Sequence, residues 1–391
     1  MILRKAFFLF IPVLSVLACQ KDASKASLTA PADEDCVQLK SLGNGDTIPG
    51  QYIVLYQSGV VGSVRSEATV KTMSEKVLLK NNISKKYIRE TFAGARGGFI
   101  ARLSREEARK LASDENIDIV EPDRVVALST CFTVVAPRLI TWNIDRVGYG
   151  DGTGKKAWVI DSGIDFAHPD LTVDKTMSKS FISSTASADD ENGHGTHVAG
   201  VIAAKNNSFG VLGVASGATL VSLRVLDKEG KGTLGAIIQA LAYINANAST
   251  GDVVNMSIGE DEGVSEVLDK QVQATAARGI LIAIAAGNDH EAANKFSPGR
   301  ANASNIFTVS AVDSLDNFAS FSNYGNDVVD FAAPGVRILS TYMGSKYAYM
   351  SGTSMAAPHL AGLLLLKGKN IISSGFAKND PDGEADPIAH Y

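Results

Sequence analysis

The stretch VVNMSIGEDEGVSEVLDKQVQATAARGILIAIAAGN, residues 253–288, decides the reading of this chain. Val253–Met256 is a short apolar run rich in β-branched residues, the mark of a buried strand. Val264–Arg278 has its apolar residues at helical spacing, and Leu281–Ala286 is apolar again. Strand, helix, strand is a βαβ unit. On both sides of it the alternation continues, through Ala157–Ile160, Thr196–Ala204, Ala218–Val225 and Leu234–Asn247 upstream, and Ile306–Ala311 and Val328–Ala332 downstream. The pattern predicts an α/β domain from about Trp142 to Lys369, with a mostly parallel sheet covered by helices on both faces. Functional groups then belong at the carboxyl ends of the strands.

A second, smaller pattern precedes it. Tyr52–Tyr56 and Gly98–Leu103 read as strands, Val64–Leu79 as a helix, and Ser104 with Glu107 as a capping box opening another helix up to about Ser113. Ile117–Val120 and Arg124–Ala127 suggest further strand. This is a small α+β sandwich. With 391 residues the chain has room for two such bodies. An apolar content of 45% with 20% charged residues is that of globular protein. The net charge of −5, with no concentrated basic face, argues against nucleic acid as a partner.

The first residues are not fold. Arg4 and Lys5 precede the apolar run Ala6–Ala18, too short for a comfortable membrane span and shaped like an export signal. Its end, Val16-Leu17-Ala18-Cys19, resembles a bacterial lipobox, which implies a lipid on Cys19 and a membrane as partner. Val16-x-Ala18 also suits ordinary signal cleavage. The chain is therefore expected in the cell envelope or secreted. Gln20–Asp35 is polar and tether-like. Cys36 and Cys131 are either a disulfide or two free thiols. The expected divisions are a signal peptide at 1–18, a tether at 19–48, the small domain at 49–130 and the large domain at 131–391.

Chemistry gathers in four motifs of the large domain. Val159-Ile160-Asp161-Ser162-Gly163 puts a carboxylate just after a buried strand. Asn192-Gly193-His194-Gly195-Thr196-His197 puts a histidine at the mouth of a helix. Gly352-Thr353-Ser354-Met355 puts a serine at the start of another, and Ala285-Ala286-Gly287-Asn288 ends a strand on an amide. A serine hydroxyl needs a base to become a nucleophile, and a buried carboxylate fixes the tautomer of that base. A helix N-terminus and a side-chain amide are donors for a developing oxyanion. His197 reads as helix packing, and His168, His290, His359 and His390 as structural or solvent-facing.

In this order, Asp161, His194, Ser354 and Asn288 resemble the subtilisin family of serine peptidases, over about Trp142–Leu366. The resemblance implies a peptide-bond endopeptidase acting on protein or peptide substrates through an acyl-enzyme. Ser257-Ile258-Gly259 is similar to the strand lining the family's primary pocket, and Gly230-Lys231-Gly232 to the edge on which an extended substrate pairs. The small domain resembles the inhibitory propeptide, through Tyr52-Ile53-Val54, Gly98-Phe99-Ile100 and Ile119-Val120-Glu121-Pro122-Asp123. That implies a self-processing precursor cut near Leu128–Thr130, with its own propeptide as inhibitor.

His168-Pro169-Asp170-Leu171 and Asn206-Asn207-Ser208-Phe209-Gly210-Val211 resemble the family's calcium loop. Ca2+ is then expected on the side chains of Asp170 and Asn207 and the carbonyls of Lys205, Phe209 and Val211. The family's N-terminal glutamine ligand has no counterpart near Pro137–Thr141, and the usual last helix is missing. Lys367–Tyr391 instead carries a polar turn at Asp380-Pro381-Asp382-Gly383. Two rival functions remain, an anchored binding protein with an inactive peptidase fold and a processing protease of narrow specificity.

Overall fold

The computed structural model describes residues 37–38, 45–60, 66–94, 96–127, 131–134, 139–183, 185–259 and 263–391. The export signal, Cys19 and Cys36 lie outside the described residues, and with them the expected lipid and disulfide. Among the described residues no helix is long and apolar enough to cross a membrane.

The stretch read as a tether contains a short strand, β1 (Val37–Gln38), and the small domain opens at Thr47 rather than Pro49. Backbone pairing at a sheet edge asks nothing of side-chain hydrophobicity, so neither feature announces itself in sequence. The small domain runs β2 (Thr47–Tyr56), α1 (Glu67–Lys80), β3 (Ile88–Phe92), β4 (Gly98–Arg102), α2 (Arg105–Ala112) and β5 (Ile117–Ala127). The capping box forms as read: Glu107 N–H donates to Ser104 Oγ and Ser104 N–H to Glu107 Oε2. Strand β3 is an addition to the expected order, and β5 runs unbroken through Pro122. In β2 the strand period sorts the core. Val54 and Tyr56 pack under α1 and α2, while Ile53 and Leu55 face the large domain.

The large domain continues with β6 (Cys131–Val134), α3 (Trp142–Val147), β7 (Gly150–Asp151), β8 (Lys156–Asp161), β9 (Lys179–Ser180) and α4 (His194–Ala203). Then come β10 (Ala215–Ser216), β11 (Thr219–Arg224), β12 (Lys231–Thr233), α5 (Leu234–Asn247), β13 (Val253–Met256), α6 (Glu266–Ala276) and β14 (Leu281–Ala285). Last are β15 (Ile306–Val312), β16 (Val329–Pro334), the hairpin β17 (Ile338–Tyr342) and β18 (Lys346–Met350), α7 (Thr353–Lys367), β19 (Ile372–Phe376) and β20 (Pro387–His390).

The central sheet has the order β19-β20-β16-β15-β14-β13-β8-β11-β9, and every pairing but β19–β20 is parallel. Its strands are buried on both faces. In β14, Leu281, Ala283 and Ala285 join the core shared with α4 and α7, and Ile282 and Ile284 join the core shared with α5. This is the expected α/β architecture. The C-terminal segment departs from expectation. Lys367–Tyr391 is not only a turn, because β19 and β20 extend the sheet by two strands around it.

Two further sheets matter for the site. Strand β12 joins the small domain's sheet, in the order β12-β5-β2-β4-β3. Strands β1, β6, β18 and β17 form a four-stranded sheet in that order.

Candidate active site

Asp161 is the last residue of β8 and is fully buried. His194 is the first residue of α4, also fully buried, and its Nδ1 donates to Asp161 Oδ1 at 2.8 Å. The approach depends on glycine at 195, where a Cβ would stand 2.1 Å from Gly163 O and 3.1 Å from Asp161. A residue that sequence reading passed over organises this corner. Asp190, nearly fully buried, accepts from Asn192 N–H at 2.9 Å, Gly193 N–H at 3.0 Å and Thr196 N–H at 3.0 Å. These are donors at the N-terminus of α4, where a helix leaves its first N–H groups without partners. Asp190 also accepts from Ser162 Oγ, which in turn accepts from Gly195 N–H at 3.0 Å. The loop after β8 and the start of α4 are thereby one hydrogen-bonded unit.

Ser354 is the second residue of α7 and is buried. Its Oγ donates to Ser257 O at 3.1 Å, while His194 Nε2 has no partner among the described residues. The serine–histidine bond is thus unmade here, with the serine hydroxyl turned to Ser257 O instead. Catalytic hydrogen bonds of this kind commonly tighten only around substrate. Asn288 is fixed through its oxygen, which accepts from Thr353 N–H at 2.8 Å and Thr353 Oγ1 at 3.0 Å. Its amide nitrogen is left without a partner among the described residues.

Ser257 ties the end of β13 to the start of α7, since its Oγ donates to Ser354 O at 2.8 Å and accepts from Asn255 Nδ2 at 2.9 Å. Ile258 beside it is buried, and a Cβ on Gly259 would meet nothing nearer than 3.7 Å. Gly230 turns the chain with a φ of +73°, and Lys231–Thr233 pairs antiparallel with β5, Lys231 opposite Ala127, Gly232 opposite Val126 and Thr233 opposite Val125.

The other histidines have structural partners. His197 Nε2 donates to Ile338 O at 2.9 Å and approaches Ala348 O at 3.1 Å, and burial holds its pKa down at about 3. His359 links Met355 O to Asn143 Nδ2 inside the core, and burial lowers it to about 4. His168 Nε2 donates to Lys346 O at 3.0 Å, and His390 Nδ1 to Arg146 O at 3.2 Å. His290 packs against the Tyr324 ring.

The expected calcium residues converge. Asp170 is fully buried and accepts from Asn207 Nδ2 at 2.6 Å, Val211 N–H at 3.0 Å and Tyr347 O–H at 3.2 Å. Lys205 N–H donates to Asp170 O at 2.9 Å, and Phe209 N–H to Asn207 Oδ1 at 3.0 Å. A carboxylate, an amide oxygen and main-chain carbonyls are the donors a hard cation takes, so the residue types fit Ca2+. Asn207, however, turns its nitrogen rather than its oxygen toward Asp170.

Comparison with known proteins places this geometry. The model of the Subtilase family matches residues 152–371. An alkaline serine exoprotease A from Vibrio alginolyticus is 35% identical over 82% of this chain and 60% of its own length. A thermostable alkaline protease from Halalkalibacterium halodurans is 40% identical over 68% of this chain and 71% of its own. The crystal structure of a cold-adapted subtilisin-like serine proteinase superposes with a TM-score of 0.56 at 31% identity, covering 65% of this chain and 98% of that one. With Asp161 at the end of β8, His194 and Ser354 at the starts of α4 and α7, and these relatives beside it, the chain belongs to the subtilase family of serine peptidases.

Proposed function

We propose that the chain is the precursor of an exported serine endopeptidase that cuts protein or peptide substrates and processes itself. The observation that carries this reading is the buried Asp161–His194 pair, with Ser354 on the first turn of α7 and the Asn288 amide nitrogen left free beside it. Ser354 Oγ attacks the peptide carbonyl. His194 Nε2 takes its proton and returns it to the leaving amine, while Asp161 keeps the imidazole in the required tautomer. The Ser354 N–H and Asn288 Nδ2 stabilise the oxyanion. An extended substrate pairs along Gly230-Lys231-Gly232, and Ser257-Ile258-Gly259 lines the pocket before the scissile bond.

The small domain acts as an intramolecular inhibitor in this reading. Its strand β5 takes the β12 edge a substrate would use. Two of its carboxylates meet helix N-termini of the large domain. Asp123 Oδ1 accepts from Gly235 N–H at 3.1 Å at the start of α5, and Glu121 bonds the hydroxyl of Ser265, which caps α6. Negative groups are favoured at such termini. The expected calcium, held by Asp170, Asn207 and the carbonyls of Lys205, Phe209 and Val211, would brace the loop after α4 and take no part in the acyl transfer. Export, with or without a lipid on Cys19, completes the proposal.

Labelling with a fluorophosphonate tests the activity. The matured protein takes up one label, on Ser354, and Ser354→Ala takes up none. An unlabelled mature wild type would favour the inactive binding protein instead.

A further inference from the structure

We propose that Asp190 is a positioning residue of the acyl transfer, whose buried carboxylate offsets the positive end of α4 and so makes the His194 imidazolium easier to form. The inference rests on the peptidase reading above and adds a second carboxylate to the surroundings of the histidine.

His194 is the first residue of α4, where the N–H groups of the first turn give a helix its positive end. A cation is disfavoured there. Acyl transfer nevertheless makes His194 a cation when it takes the Ser354 proton. Asp161 answers this from the Nδ1 side of the ring. Asp190 answers it from the helix. The N-cap of α4 is Gly193, which has no side chain to offer, and Asp190 supplies the acceptors in its place. Its Oδ1 accepts from Asn192 N–H, Gly193 N–H and Ser162 Oγ, and its Oδ2 from Thr196 N–H and, at 2.6 Å, from Thr196 Oγ1. All of these partners donate. The two hydroxyls already accept a backbone N–H each, Ser162 Oγ from Gly195 and Thr196 Oγ1 from Asp165. Burial pushes the Asp190 pKa up, and the donors pull against it by favouring the ionised form.

The other titratable groups around the histidine leave this task to Asp190. His197 on the same helix and His359 on α7 are neutral, burial holding them down at about 3 and about 4. Tyr342 of β17 donates its O–H to Asn192 O and is pushed up to about 12 by burial. Arg224 lies opposite Asp161 on β11, and its guanidinium is met by Glu191 Oε2 and Asp189 O, each at 2.7 Å. Asp189 and Asp165 are turned to other backbone groups, Asp189 to Phe166 N–H and Asp165 to the N–H groups of Ala167, Gly344 and Ser345.

The test follows kcat and kcat/KM for one peptide against pH in matured wild type, Asp190→Asn and Ser162→Ala. In Asp190→Asn the amide oxygen still accepts on one side while the charge is gone. The acid limb of kcat/KM is expected to move to lower pH by about half to one unit, and the plateau kcat to fall about three- to tenfold with little change in KM. One free energy is thus read twice. Ser162→Ala loosens the same corner but keeps the charge, and its acid limb is expected to stay where wild type has it. A loss of kcat in Asp190→Asn with an unmoved limb makes Asp190 a structural cap and overturns the proposal. An equal downward shift in Ser162→Ala overturns it too. Should Asp190→Asn not mature, NMR titration of His194 in uncut Ser354→Ala, with and without Asp190→Asn, takes the place of kinetics. A lower midpoint in the double variant supports the proposal, and an equal midpoint or a failure to fold overturns it. If wild type itself cleaves nothing, the peptidase reading fails and the proposal falls with it.

Discussion

Asn288 is held by its oxygen, and in the proposed mechanism it acts by its nitrogen. Thr353, immediately before Ser354, supplies both donors to Asn288 Oδ1, so the position of the amide is tied to that of Ser354. An interaction made chiefly with the oxyanion stabilises the transition state more than bound substrate. Asn288→Ala is therefore expected to lower kcat by about a hundredfold or more with little change in KM, the size of effect seen when one such donor is removed. Steady-state kinetics on one peptide decides it, and a raised KM with unchanged kcat would remove the role. Asp161, His194, Ser354 and Asn288 stand out in sequence because acyl transfer restricts both residue type and setting, and the structure puts the first two in hydrogen-bond contact. Asp190 was not. In Ala188-Asp189-Asp190-Glu191 nothing distinguishes it from its acidic neighbours, and its task of joining Ser162 to the start of α4 exists only once the chain is folded.

Elements built from long apolar runs were legible, while those built from backbone pairing were not. Strands β8, β11 and β13–β16 and helices α5 and α7 lie where hydrophobic pattern puts them. Strand β3, the β17–β18 hairpin and the β19–β20 pair escaped notice, since stretches such as Ile372-Ser-Ser-Gly-Phe376 carry little apolar signal. The last of these brings a carboxyl group inside. Asp386, just before β20, is fully buried, with Ser310 Oγ at 2.5 Å from Oδ2 and no partner for Oδ1 among the described residues. Burial, with Asp380, Asp382 and Asp330 nearby, pushes its pKa up to about 7. Between the ordinary carboxylate range and pH 7 the folded state then keeps a proton that the unfolded chain has lost. Stability falls as pH rises through that window, and the deficit persists above it. Asp386→Asn is expected to raise Tm by about 2–4 °C at pH 8 and to leave it nearly unchanged at pH 4. An equal shift at both values would assign the effect to packing instead. In the loop after α4, chelation is expected to lower the Tm of wild type but not of Asp170→Ala, because a metal bound only by the native state adds stability by mass action. Equal responses would move the metal away from Asp170.

At the scale of the whole molecule, one sheet of the small domain spends its two faces differently. Val54, Tyr56 and Phe99 build its own core, while Ile53, Leu55 and Ile100 join the core under α5. The small domain is thus seated on the large one by apolar surface, by the Glu121 and Asp123 contacts and by β5 on β12. The sequence suggested two bodies and their order, but no local pattern indicates that β12 completes the smaller body's sheet, because pairing between distant segments leaves no trace in either. A domain seated in this way on α5, α6 and β12 supports the proposal that the enzyme is its own first substrate. Intact mass and N-terminal sequencing of purified wild type and Ser354→Ala, expressed in a host lacking other proteases, test that claim most directly. Wild type is expected to give two chains, parted between Ala127 and Cys131, and Ser354→Ala a single uncut chain. Maturation of Ser354→Ala at the same bond would contradict it.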